Sequence, residues 1–240
     1  MFAIKFFITA FKCLIFLMLF VGCAFASIKL YPISVTTNSQ GNAQIKVISS
    51  SDKMDFVKVS VKVIDNPGTA EESERELVEN ENLVITPAKF ALAAGSTRIV
   101  RLVNISPPAI EQVYRVNFES VDNLEANMDT GNAKTKIGVN VIWGALAIVP
   151  PVSPREAMHY ASVEHQLVND GNVHITLKEI GICHSKSDSG DCKWVANGRT
   201  IYPGQKLMLK SSLVALIAPE NTVKIKYLSS ISKTTLELSL

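Results

Sequence analysis

The chain has 240 residues, of which 47% are hydrophobic and 19% are charged, a composition that can build a packed core and excludes a disordered chain. It carries 24 basic and 22 acidic residues, but Lys5 and Lys12 lie within the first 26 residues, so the remainder is balanced in charge. A balanced chain lacks the broad basic field that nucleic-acid binding requires, and the length allows one large domain or two of about 100–120 residues.

The first predicted element is a signal peptide at residues 1–26. A basic start and an apolar run are followed by the signal-peptidase site Ala24-Phe25-Ala26, which makes Ser27 the first mature residue. We therefore expect an exported protein in an oxidising compartment. Two alternatives stay open, namely an uncleaved membrane anchor that starts at Phe6 and lipid attachment at Cys23.

Alternating apolar and polar residues predict strands along most of the remaining chain. No segment sustains a helical period beyond about two turns. Turn-forming residues at 66–68, 169–172 and 203–204 separate the runs. The period of two recurs at residues 57–63, 114–118, 137–143, 173–177, 223–227 and 236–240.

A group of prolines at residues 150–154 cannot lie inside a sheet and predicts a linker. It divides the mature chain into residues 27–149 and residues 150–240, each the size of one β-sandwich. Many short strands with this spacing are typical of sandwiches. The predicted fold is therefore all-β, with two immunoglobulin-like β-sandwich domains joined by a short Pro-rich linker.

Two cysteines follow the predicted signal peptide, Cys183 and Cys192. An even pair in an exported protein indicates a disulfide, here across a short loop rich in Ser, Asp and Gly. The alternative is a metal site made by Cys183, His184 and Cys192, although this spacing matches no zinc knuckle.

The sequence lacks the motifs of serine hydrolases, zinc proteases, phosphate-binding loops and EF-hands. The acidic segment at residues 71–81 has the composition of a solvated loop. We therefore predict a protein that is not an enzyme and has no catalytic residue, cofactor, bound metal or small-molecule substrate.

The segment at residues 137–149 is long, apolar and nearly free of charge. It fits a central core strand, and it also fits an edge strand that pairs with another chain by β-augmentation. Patterning alone does not decide between these interpretations.

Several segments together resemble the periplasmic pilus chaperones. Residues 83–89 and 94–102 resemble the family's "TP…L…G…VRL" block, residues 114–121 its strand F, and residues 137–151 its strand G. Further details favour the alternate class, the chaperones of colonisation-factor type pili. These are residues 31–34, 66–69, 169–173 and 201–203, together with the cysteine pair.

The resemblance implies a periplasmic chaperone that lends its first-domain G strand to a pilin subunit, which it then delivers to an outer-membrane usher. An added strand contributes main-chain hydrogen bonds while its alternate side chains fill the partner's groove. On this basis Ile137, Val139 and Val141 are the predicted inserting side chains.

The family's better-known branch anchors the subunit's terminal carboxylate with an Arg near the N-terminus and a Lys late in strand G. Here residues 31–37 contain no Arg, and strand G has no basic residue after Lys136. Arg115 and Lys136 are the candidate anchors, since a guanidinium binds a carboxylate bidentately. The alternative for Arg115 is a structural ion pair with Glu119 or a neighbour.

Two other functions stay open from sequence. One is a secreted immunoglobulin-like adhesion or binding module, which has no need of a bare apolar strand. The other is a surface lipoprotein, which requires acylation at Cys23.

Overall fold

The computed structural model describes residues 27–78, 83–121, 141–183, 192–217 and 221–240. Within these ranges the chain forms eighteen strands and one short helix, so the all-β prediction is confirmed. No helix among these residues has the length and apolarity needed to cross a membrane.

Ten strands precede the linker prolines and form two sheets. One sheet has the order β1-β3-β8-β6, and the other has the order β2-β10-β9-β4-β5, with β7 also paired to β4. The pairs are antiparallel except for β2 with β10, which run parallel. The strands are β1 (Ile28–Tyr31), β2 (Ser34–Thr36), β3 (Asn42–Ser49), β4 (Asp55–Asp65), β5 (Ser73–Arg75), β6 (Leu83–Thr86), β7 (Lys89–Leu92), β8 (Thr97–Asn104), β9 (Gln112–Val121) and β10 (Ile142–Val149).

The first core lies between the inner faces of these two sheets. Side chains alternate between the faces of a strand, so the period of two sends every second apolar residue inward. Tyr114 and Phe118 of β9 are completely buried, and each such burial contributes about 1.5–3 kcal/mol. The same cluster includes Ile28, Ile45, Val47, Val57, Val59, Val100, Leu102, Val116, Ala145, Ala147 and Val149.

Eight strands and the helix follow the prolines. They form a three-stranded sheet of order β11-β12-β16 and a second sheet of order β14-β13-β17-β18, with β15 also paired to β13. A second, separate cluster of buried residues lies between these sheets, built around Leu167, Leu177 and Ile225. The elements are β11 (Met158–Ala161), β12 (Gln166–Asn169), β13 (Ile175–Cys183), β14 (Cys192–Ala196), β15 (Thr200–Ile201), β16 (Lys206–Met208), α1 (Ser211–Val214), β17 (Thr222–Leu228) and β18 (Thr235–Ser239).

The strands predicted at residues 57–63, 114–118 and 223–227 are confirmed as parts of β4, β9 and β17. The loop predicted at residues 71–81 is wrong in part, because it contains strand β5, which pairs with β4. Basic neighbours explain the difference, since they neutralise the acids that composition assigns to solvent. Arg75, for example, donates to Asp65 across the β4–β5 pair at 2.8 Å.

Candidate functional site

Strand β10 is paired along its whole length on one side and along less than half on the other. β9 pairs with all eight of its residues. On the other side, β2 is in register only with Leu146, Ala147 and Ile148. No described strand pairs with the first half of β10 on that side. Both interpretations of this segment are therefore partly right, because β10 begins as an edge and ends inside the sheet.

Backbone groups of Ile142 and Gly144 face this free edge. The N–H of Leu146 donates to the carbonyl of Ile33, on the β2 side, at 2.8 Å. Backbone groups point to alternate sides of a strand, so the even-numbered residues before Leu146 point the same way. Unpaired edge groups of this kind are a template for an added strand.

Side chains of β10 pass from the core to solvent as the strand is followed towards its beginning. Ala145 is completely buried, whereas Trp143 is 36% exposed and Val141 is 52% exposed. By alternation these three share one face. Of the three predicted inserting residues, only Val141 is described. Ile137 and Val139 lie outside the described residues.

Exposed apolar side chains also flank the free edge. Tyr31 and Ile33, which come just before β2, are 65% and 69% exposed. Because β2 and β10 run parallel, the residues that precede β2 lie towards the end where β10 begins, near Val141 and Ile142. Contiguous exposed apolar surface marks an interaction site. The sequence signal was present in the two apolar residues around Pro32, but it served only for the resemblance.

Arg115 is held by two carboxylates. Its Nε donates to Oε1 of Glu74 at 3.1 Å, and its Nη2 donates to Oε1 of Glu72 at 3.2 Å. The structure thus gives Arg115 the structural ion pair, with one acid from the β4–β5 connection and one from β5. Its role as a carboxylate anchor stays a prediction, as does that of Lys136, which lies outside the described residues.

A buried acid–histidine pair joins the two halves of the chain. The side chain of Glu111 is 1% exposed, and both of its oxygens lie 2.8 Å from Nδ1 of His174. Carboxylates only accept, so Nδ1 carries the proton. The backbone N–H of Glu111 also donates to the carbonyl of Asn172 at 2.9 Å. Sequence analysis missed Glu111, because a single acid before a strand carries no recognisable pattern.

A second contact between the halves involves the turn after β4. Gln205 donates through Nε2 to the carbonyl of Pro67 at 3.0 Å. Beside it, burial raises the pKa of Tyr202, and the negative charges of Glu111 and Glu72 raise it further. These groups therefore favour a neutral tyrosine hydroxyl at the contact.

Cys183 and Cys192 face each other across β13 and β14 and form a disulfide. Both sulfurs are used in that bond, so the alternative metal site is wrong. His184 lies outside the described residues. Within the described part of the chain, no group of three His, Cys, Asp or Glu side chains is placed to hold a metal ion.

Comparison with known proteins places this geometry among fimbrial proteins. The chain is 32% identical over 184 residues to a CFA/I fimbrial subunit of Escherichia coli, and the match covers 74% of this chain and 77% of that protein. The crystal structure of the class 5 fimbriae chaperone CfaA matches it with a TM-score of 0.73 at 28% identity, over 89% of this chain and 97% of that chain. A chain from a chaperone–tip adhesin complex of CFA/I fimbriae biogenesis gives a TM-score of 0.72 at 28% identity, over 90% and 98% of the two chains. No protein-family model matches the sequence.

Proposed function

Because the chain belongs to the family of CFA/I-type fimbrial chaperones, we propose that it captures fimbrial subunits by lending them the free edge of β10. One observation carries the proposal. The first half of β10 has no described partner on the β2 side, and its side chains are apolar and exposed. A core strand would be paired on both sides, and a soluble edge with no partner usually carries charge or proline.

The bound state follows from the geometry of the strand. The backbone groups of Ile142 and Gly144 form hydrogen bonds with the subunit, and the side chains on the Val141 face enter its groove. A pilin that lacks one strand exposes an apolar groove that would otherwise aggregate. Alternate apolar side chains fill such a groove, so Ile137 and Val139, which share the period of Val141, complete the inserting set.

The subunit's terminal carboxylate needs a cation once it is buried. We assign this role to Arg115 or Lys136, and for Arg115 the carboxylate replaces Glu72 or Glu74. The test compares a subunit that has a free C-terminal carboxylate with one whose carboxylate is blocked by an added residue. An anchor loses its contribution when the carboxylate is blocked. If Arg115→Ala and Lys136→Ala both weaken the two subunits equally, neither residue is the anchor.

Export and delivery complete the proposed role. Residues 1–26 direct the chain to the periplasm, residues 27–149 form the subunit-binding domain, and residues 150–240 form the second domain. The two separate buried clusters support this division. The partners are fimbrial subunits, including a tip adhesin as in the complex with the similar chaperone, and an outer-membrane usher that receives them. Mass spectrometry of the exported protein should find Ser27 at its N-terminus.

Co-expression tests subunit capture directly. A CFA/I-type fimbrial subunit of the same organism is produced in the periplasm with the wild-type chain, or without it. We expect soluble subunit, co-purified in a one-to-one complex, only when the chain is present. Equal recovery of soluble subunit without the chain would refute the proposed function.

A further inference from the structure

We infer that Arg115 is a positioning residue for β10: its aliphatic stem lies over Gly144 and sets the position of the free edge. This inference rests on the proposed function, in which that edge binds the subunit. It concerns how the edge is held before any subunit is bound.

The close approach is visible at Gly144. A Cβ atom built there would lie 2.8 Å from Cδ of Arg115, 3.5 Å from its Cγ, and 3.4 Å from Oδ1 of Asn117. The first distance is shorter than real Cβ contacts, so no side chain fits at position 144 while Arg115 keeps its place. The absence of a side chain lets the arginine stem lie directly on the backbone of β10.

Arg115 is not free to swing aside, because its guanidinium is held at the other end. Glu72 and Glu74 each accept one of its N–H groups. Glu72 is itself fixed, since its Oε2 accepts the backbone N–H of Gly68 at 2.6 Å. All three charged side chains are about two-thirds buried, with exposed fractions of 28%, 34% and 34%. An ion pair in such a setting is less screened than a surface pair.

Position 144 is the point at which this contact matters. Leu146 is the first residue of β10 in register with β2, and Gly144 lies just before it, on the free half. On the inner face, Ala145 is completely buried in the core. The strand is therefore held between the core on one face and the Arg115 stem on the other, at the point where it leaves the sheet. A strand held in its bound position loses less conformational freedom on binding.

A double-mutant cycle tests the inference. Binding to the CFA/I-type subunit is measured for the wild type, Gly144→Ala, Arg115→Ala and the double variant. Gly144→Ala should weaken binding about tenfold, the size expected when overpacking displaces a neighbouring side chain. In the Arg115→Ala background the same substitution should have almost no effect, because the new methyl group then has room. Gly198→Ala is the matched control, since a Cβ at that exposed glycine meets nothing within 4 Å.

The cycle separates positioning from stability and from anchoring. Melting curves of all variants should agree with that of the wild type to within a few degrees, so that the loss is seen in the affinity for the subunit. Arg115→Met keeps a stem without its charge, and here Gly144→Ala should cost less than in the wild type because the stem can move. Blocking the subunit's terminal carboxylate should leave the coupling between residues 115 and 144 unchanged.

Contrary results have distinct meanings. If Gly144→Ala weakens binding equally with and without Arg115, the positioning role is refuted while subunit capture stands. If the coupling disappears when the carboxylate is blocked, Arg115 acts as an anchor and the inference is also refuted. If the wild type binds no subunit, the proposed function itself fails.

Discussion

Replacing Val141 with aspartate should abolish subunit capture and leave the chaperone folded. Val141 lies just before β10 and is 52% exposed. In the free protein the new carboxylate therefore stays in water, and the free energy of unfolding should change by no more than about 0.5 kcal/mol, as is usual for surface substitutions.

The cost arises in the complex. Burying the exposed half of the valine in the subunit groove contributes about 1.5 kcal/mol, and the substitution loses this. The aspartate must also leave water without a described cation beside it, which adds roughly 2–3 kcal/mol. Together the two effects weaken binding by about 4 kcal/mol, or roughly a thousandfold in Kd.

The assay pairs circular dichroism melting with measured affinity for the subunit in three variants. Val163→Asp is the surface control, because Val163 is 86% exposed and lies in the turn between β11 and β12. It should preserve both folding and binding. Val116→Asp is the core control, because Val116 is completely buried, and it should unfold the first half. If Val141→Asp melts like the core control, or binds the subunit like the surface control, the edge-strand account is refuted.

Three further predictions concern stability. Cys183→Ser should lower the free energy of unfolding of the second half by about 2.6 kcal/mol, the loop-closure value for cysteines nine residues apart, and denaturant unfolding of the variant should no longer respond to reductant. Glu111→Ala leaves His174 without its acceptor and should cost about 1–3 kcal/mol in calorimetric unfolding, with a smaller loss for Glu111→Gln. Burial raises the pKa of Tyr202 above its ordinary value of 10.0, so its contribution is fully present below that ordinary pKa and is lost as pH rises through the folded-state pKa. Tyr202→Phe should therefore lose less stability than the wild type in urea titrations at pH values above the ordinary tyrosine pKa, and an identical pH profile would contradict the assignment.

Local patterning was sufficient for much of the fold. The alternation at residues 57–63 and 114–118 predicts which side chains enter the core, because a strand has only two faces. The prolines at residues 150–154 likewise predict a break, and no described strand lies between β10 and β11. These features depend on neighbours in sequence, so a single sequence displays them.

The site could be predicted only in part, because it depends on contacts between distant residues. The partners of Arg115 lie 41 and 43 residues away, and that of His174 lies 63 residues away. Pairing of β10 with β2 joins two segments that are far apart in the chain, so composition could not show where the edge is free. The acidic segment failed for the same reason, since its charges are neutralised by residues on other strands.

Amide hydrogen exchange at Ile142 and Gly144 tests the central claim most directly. The account predicts rapid exchange at both amides in the free chaperone, strong protection in the complex with a fimbrial subunit, and protection at Leu146 in both states. Protection of Ile142 and Gly144 in the free protein, or continued rapid exchange in the complex, would contradict the proposal that this edge of β10 is lent to the subunit.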